Sequence, residues 1–531
     1  MVAMRADASN HLDKVTSQLS AHIWGHRFKE GQRGAEYVLE FLNVLYGTDY
    51  SFIKDSYVRK RSIGLRKFIF EGVKEGAGSR GGILILTDEE KIKLQQAVRE
   101  NDLPVLKQFL RNLEIVLYDL NGKEADRSWY ARSLYPLHES LLYFELRKVG
   151  DNLAIERNFF ARGGELYFLM LAHGTEKHPE RREFIESRFR QLLTKNKIIE
   201  NVVTKITSAF DEDKEEYKEA KLRSDKLDDC PILPVNAPVE NEHLFENFAI
   251  ELEQLLQVDL DVYEVFHLLM TLICFQLNRY MYERAHLPNS ENKIYYFFDC
   301  MESKNKNITY LSARIFEQHE LIIKEKLDQA FENKYKDTVG SDENIEQLLP
   351  SWREKPEQFL ELMGLQKLKS RKKTIVQKLM QCHTPADVKG KLKDVVREVA
   401  SESLTKEMLS IIRTLARDGG FATFRRGSAA NYRYTISDTF LQMLVFTKVK
   451  PQGKMEFFEF LDVLYRDYGI VIGEKQAKDS GLYDMSRLNV RYFQENEKAL
   501  RDKLLQNGLL IEFSDATAMI ENPYAASLVE A

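Results

Sequence analysis

Catalysis and metal binding need reactive side chains at workable spacing, and few stretches of this chain offer it. His22 and His26 stand at i and i+4 in HIWGH, so one helix face would carry both imidazoles, as a metal chelate requires. Ile23 occupies the place of the glutamate that a zincin sets beside its first histidine, and no third ligand falls at a supporting interval. With Trp24, Arg27 and Arg33 close by, the pair reads as a packed polar corner. Asp211 and Asp213, followed by Glu219-x-Lys221, supply the residue types of a metal-dependent nuclease. That chemistry needs the ExK step on a buried strand, whereas this charge-saturated stretch reads as a helix or linker. GAGSRG at 76–81 satisfies GxGxxG, but a helix-like segment precedes it and ILIL follows, the reverse of a dinucleotide loop. No GxxxxGK[ST] loop occurs, and the reading implies no cofactor and no metal.

Three segments combine arginine, aromatic rings and carboxylates, two of them around glycine turns. They are HIWGHRFKEGQRGAEYVLEF at 22–41, DRSWYARSLYPLHESLLYFELR at 126–147 and ERNFFARGGELYFLML at 156–171. Arginine forks bind carboxylate or phosphate and rings bury large areas, so such segments suit a partner interface. Trp24, Arg27, Trp129, Arg132, Arg162 and Glu165 are the candidate interface residues. The alternative is an internal network in which the arginines pair with Glu145, Glu156 and Glu165.

Two runs, RKRSIGLRK at 59–67 and KLKSRKK at 367–373, each carry five cations. Arg59, Lys60, Arg61, Lys369, Arg371, Lys372 and Lys373, with Arg425 and Arg426 in a later turn, are candidates for duplex DNA phosphates.

The elements that must position these residues are mostly helices. Leu12, Val15, Leu19 and Ile23 keep helical spacing, and Tyr37, Phe41, Val44 and Leu45 repeat it. Thr87 with Glu90 forms a capping box before Ile92, Leu94 and Val98. Short strands are expected near 83–86 and 152–156, and helices over 101–117, 243–257, 260–286, 308–334 and 357–381. The 337–356 stretch, with its glycine and proline, reads as a long loop. Residues 211–229 are almost wholly polar or charged, and Pro231, Pro234 and Pro238 follow, which marks a linker.

Near the end, helix 403–417 runs into Gly419-Gly420, FATF, a turn holding Arg425 and Arg426, and YRYTIS. A helix, a glycine stop and a hairpin outline a winged helix. The outline recurs where a helix ends at Asn507-Gly508 before LLIEF and TAMIE, its wing carrying Glu512 and Asp515. Between them a helix is expected over 455–468, ending at Gly469. The chain thus reads as a mainly α, multidomain helical protein. Its expected parts are an N-terminal helical domain 1–210, a linker 211–240, a middle helical domain 241–400 and tandem winged-helix-like units over 401–531.

Composition narrows the class. The 531 residues are 44 % hydrophobic and 30 % charged with a net charge of −5, which excludes a fibrous or disordered chain and a whole-surface nucleic-acid binder. Four scattered cysteines form no CxxC pair, so a reducing cytoplasm is expected. The first residues hold no apolar signal core, and the longest apolar run, VFHLLMTLICF, is about half of the ~20 residues a span needs, so no membrane is expected.

The three arginine–aromatic segments, with YTISDTFLQMLV and FLDVLYRDYGIVIG, resemble a family of bacterial proteins of about this length. These are encoded in multigene anti-phage restriction operons, of the methylation-associated and phosphorothioation-dependent kinds. The likeness lies in composition and motif order over most of the chain, and it carries no catalytic residues over. It implies a cytoplasmic, non-catalytic scaffold or adaptor that accompanies a P-loop ATPase or helicase and touches DNA or protein through its winged units. A divergent nuclease and a kleisin-like connector of a structural-maintenance ATPase are the alternative readings.

Overall fold

The structure, a computed structural model, describes residues 19–21, 23–25, 28, 31–59, 62–75, 82–99, 102–117, 133–142, 146–149, 152–155, 163–210, 218–222, 239–286, 293–365, 371–424, 432–513 and 517–527. The fold is mainly α, with short strands between helices. Two compact units divide the chain: Gly31–Tyr280 with Tyr295–Phe316 and Arg413–Ala531, and Met1–Glu30 with Met281–Ile294 and Glu317–Ile412. Neither follows the four consecutive segments expected from composition.

The larger unit begins with α1 (Gly34–Gly47), whose residues 34–45 are all buried. A helix covered on every side belongs to a core. Strand β1 (Ser56–Arg59) and α2 (Ile63–Phe70) follow, then the hairpin β2–β3 (Lys74–Glu75, Gly82–Ile83). In α3 (Asp88–Ala97) the Thr87 hydroxyl accepts from the Glu90 amide while Glu90 takes the Thr87 amide, the capping box read from sequence. Next come α4 (Leu103–Arg111), the hairpin β4–β5 (Leu146–Val149, Asn152–Ile155), α5 (Gly163–Gly174), α6 (Pro179–Thr194) and α7 (Lys197–Thr207). Helices α2, α3, α4 and α7 enclose a small core that includes Phe68, Leu94, Leu110 and Val203.

Strand β6 (Lys218–Lys221) pairs antiparallel with β1, setting Glu219 opposite Val58. This corrects the expected helix or linker at the ExK step. Ladder bonds to β1 and the buried Leu222 behind it hold three charged residues and Ala220 extended. Glu219 is exposed and accepts the Ser56 hydroxyl, so it is not aimed into a buried metal site. Asp211 and Asp213 lie outside the described residues.

Helix α8 (Val239–Leu256) packs on α5 and α6, and α9 (Val262–Ala285) follows. The C-terminal tail returns to their junction, where Asp259 N donates to Ala525 O at 2.9 Å and Ser527 N to Gln257 O at 2.7 Å. Segments on both sides of the expected 211–240 linker therefore share one unit. After β7 (Tyr296–Phe297), α10 (Lys306–Val339), α11 (Asp342–Glu354), α12 (Pro356–Leu362), α13 (Lys372–Met380) and α14 (Lys393–Asp418) complete the middle of the chain. The unit boundaries at 280, 316 and 412 fall inside α9, α10 and α14, because long helices do not stop where the packing changes.

The smaller unit corrects the loop expected at 337–356. Ser341 caps α11 by accepting from Asn344 N, and Ile345, Leu349 and Trp352 bury one face at i, i+4 and i+7. Pro350 sits inside the helix, and this apolar stripe outweighs the lost backbone bond. Trp352 meets Phe359 edge-on at 5.3 Å, and the Tyr335 hydroxyl donates to Val388 O at 2.9 Å.

In the larger unit the chain after α14 forms the antiparallel hairpin β8–β9 (Ala422–Phe424, Tyr432–Tyr434), as FATF and YRYTIS predict. Then come α15 (Asp438–Lys448), β10 (Lys454–Glu456), α16 (Phe457–Tyr468) and β11 (Ile470–Val471). Short α17 (Glu474–Asp479) and α18 (Leu482–Ser486) precede α19 (Val490–Gln506), β12 (Leu510–Glu512) and β13 (Ala518–Glu521). The expected 455–468 helix thus begins with a strand. The Glu456 carboxylate caps the helix by accepting from Glu459 N, and the residues before it pair with β13. The resulting sheet has the order β10-β13-β12. Gly469 at φ +68 closes α16, and β11 then pairs in parallel with β7.

Candidate functional site

Two of the three arginine–aromatic segments meet where α1 crosses α5. A Cβ on Gly163 would stand 2.3 Å from the Tyr37 ring, and one on Gly164 would stand 2.4 Å from Phe41 N. The glycine pair therefore exists to let the backbones approach. Gly164 N donates to Glu40 Oε2 at 2.6 Å, and Gln32 Nε2 donates to the same oxygen at 3.0 Å. Glu165 takes the Tyr57 hydroxyl, and Glu36 takes the Arg33 amide at 2.7 Å. Beside them Asp418 accepts from Arg33 Nε at 3.1 Å, from Gly34 N at 3.0 Å and from Arg417 Nη2 at 2.7 Å. Burial, with Cys274, Glu40 and Glu36 nearby, pushes the Tyr37 hydroxyl well above the phenol range, so it stays neutral.

The arrangement is a buried carboxylate network closed by backbone amides, and its chemistry is structural. Among the described residues no group of three or more His, Cys, Asp or Glu is placed to hold a metal ion. Glu165 and Trp24, expected at a partner surface, are interior instead. Glu165 is 1 % exposed, and Trp24 is fully buried in the smaller unit with its indole donating to Met281 O at 3.1 Å. Arg27, Trp129, Arg132 and Arg162 lie outside the described residues, as do His22 and His26. In the 126–147 segment, Glu139 accepts the Tyr50 hydroxyl at 2.7 Å.

A second buried centre was not singled out by spacing. Arg279 on α9 donates to Glu251 Oε1 at 3.0 Å and lies 4.7 Å from the Tyr468 ring, with Phe248 and Phe275 also beside it. Gln276 links Glu251 to Tyr167 through bonds of 2.7 Å each. Burial works against the arginine charge, but Glu251 and the neighbouring tyrosines outweigh it and raise its pKa. The sequence signal was present: Gln276 and Arg279 directly follow the apolar run VFHLLMTLICF, so their partners had to be internal.

Among the described residues, most cations of the basic runs pair or pack within the fold. Arg66 is fully buried against the Phe70 ring, and Lys67 pairs with Glu90 at 2.8 Å. Arg59 lies half-buried on β1. Arg371 pairs with Glu398 at 3.0 Å and Lys372 with Glu357 at 2.9 Å, while Lys373 is exposed. Lys60, Arg61, Lys369, Arg425 and Arg426 lie outside the described residues.

The outward face of α19 is the remaining candidate. Arg491 pairs with Glu495 at 2.9 Å, Arg501 with Glu512 at 2.7 Å, and Lys503 with Glu302 at 3.0 Å and Asp438 at 3.5 Å. Lys498 is exposed beside a groove of about 470 Å³ lined also by Glu302, Asp438, Glu495 and Asp502. The signs alternate, so this face offers hydrogen bonds of both kinds and no phosphate track. No described helix is long and apolar enough to cross a membrane. Compared with known proteins, the chain matches no family model, no curated protein and no solved structure.

Proposed function

We propose that the chain is a non-catalytic scaffold or adaptor subunit of a bacterial anti-phage defence complex, and that its C-terminal module docks a partner protein. An ATPase or helicase of the same operon is the partner that the resemblance implies. With β11 and the short α17 and α18 set between α16 and α19, the helix–strand–helix–helix–strand–strand order of α15, β10, α16, α19, β12 and β13 and the sheet order β10-β13-β12 support a winged-helix reading. In that reading α19 is the recognition helix and β12–β13 the wing. The observation that carries the choice of protein over duplex is the pairing of Arg491, Arg501 and Lys503 with carboxylates. A helix that tracks DNA must leave its cations for phosphates.

A salt titration of fluorescent duplex DNA against the full chain tests the choice. The double variant Arg491→Ala/Lys498→Ala should bind with the parent's salt slope. A slope flattened by about two units, at roughly −0.9 per phosphate contact, would assign α19 to DNA. A comparable loss in Arg425→Ala/Arg426→Ala alone would place the DNA contact on the first wing.

A further inference from the structure

We propose that the groove between α2, α3 and α4 is a docking site for an acidic amphipathic helix of a partner protein. The groove measures about 300 Å³. Buried Phe68, Leu86 and Leu94 make its floor, with Leu103 and Pro104 on one wall.

Charge decides the occupant. Lys91, Lys107 and Arg111 line the groove against one carboxylate, Glu71, on a chain whose net charge is −5. Lys107 neutralises Glu71 and lies over the Phe68 ring at 5.4 Å. Arg111 donates to the carbonyls of Ile69 and Glu71, both at 2.6 Å, which fixes its fork and leaves its charge without a carboxylate. Lys91 meets only Asp88, at 3.7 Å, and that aspartate is fully exposed. The surplus is therefore positive, and it complements an acidic ligand. The walls are the helices α2, α3 and α4, which offer no ladder to a strand. An occupant must then close its own hydrogen bonds, as a helix does, and present apolar anchors at i, i+3 or i+4, and i+7.

This inference rests on the adaptor reading only in expecting a protein partner, and its surface is separate from α19. The probe is a displayed library of peptides about four helical turns long, selected against the full chain. Enriched peptides should combine helically spaced apolar residues with flanking Asp or Glu. They should bind the Lys91→Glu/Gln108→Glu variant at least about tenfold more weakly, at an unchanged melting temperature. Replacing their acidic residues with Lys should restore binding to that variant. No enrichment, a basic consensus, or indifference to the variant would each overturn the proposal. Partner docking through α19, scored in its own assay, would survive any of those results.

Discussion

Glu497 shows how a single carboxyl makes the C-terminal module sensitive to pH. Burial, reinforced by the charge of Glu474, raises its pKa above the ordinary carboxylate range. Its protonated form is thus the one the fold prefers. That contribution is complete below the unfolded value of about 4.3 and is lost as pH rises through the raised value. Glu497→Gln should therefore raise the melting temperature at neutral pH and flatten the loss of stability above pH ~4, as melts across a pH series would register. An unchanged profile would mean the carboxylate finds solvent. At this scale the sequence disclosed residue types without environments. The arginines of the 22–41 and 156–171 segments pointed to polar chemistry, yet burial of Trp24 and Glu165 depends on which helices cross, and no local pattern encodes that.

Helix α3 was legible because its signal is local: Thr87 and Glu90 satisfy each other within one turn. Strand β10 was not legible, because its partner β13 lies more than sixty residues away and pairing supplies its only reason to extend. Helix α11 was obscured by Pro350, whose local cost is overridden by the burial of Ile345, Leu349 and Trp352. The α1–α5 crossing supplies a sharp test at this scale. Gly164→Ala forces a methyl against backbone and should destabilise the fold by about 1–3 kcal/mol or more. Gly390→Ala meets nothing within 4 Å in a helical segment and should be neutral or stabilising by up to about 1 kcal/mol. Chemical denaturation of both variants reads the difference, and equal losses would contradict the close approach.

Composition conveyed the class of the whole molecule, mainly helical and acidic, but placed its divisions at local features of charge and proline. The actual units are discontinuous because 413–531 completes a core begun by 31–280. Asn496 donates to Phe298 O at 2.8 Å, β11 pairs with β7, and the Phe275 ring sits among Phe421, Phe440 and Tyr468. A fragment of 401–531 should consequently lack cooperative unfolding, although the sequence outline suggests a separable domain. A sharp melt for that fragment would contradict the shared core. The account as a whole stands on α19 as a protein-docking face. Co-elution of the full chain with the proteins encoded beside it, by size-exclusion chromatography, tests that most directly. A stable complex should form with the parent chain and dissociate with Arg491→Glu/Lys498→Glu at an unchanged melting temperature. A complex indifferent to that variant, or no complex from a chain that instead retains duplex DNA, would contradict it.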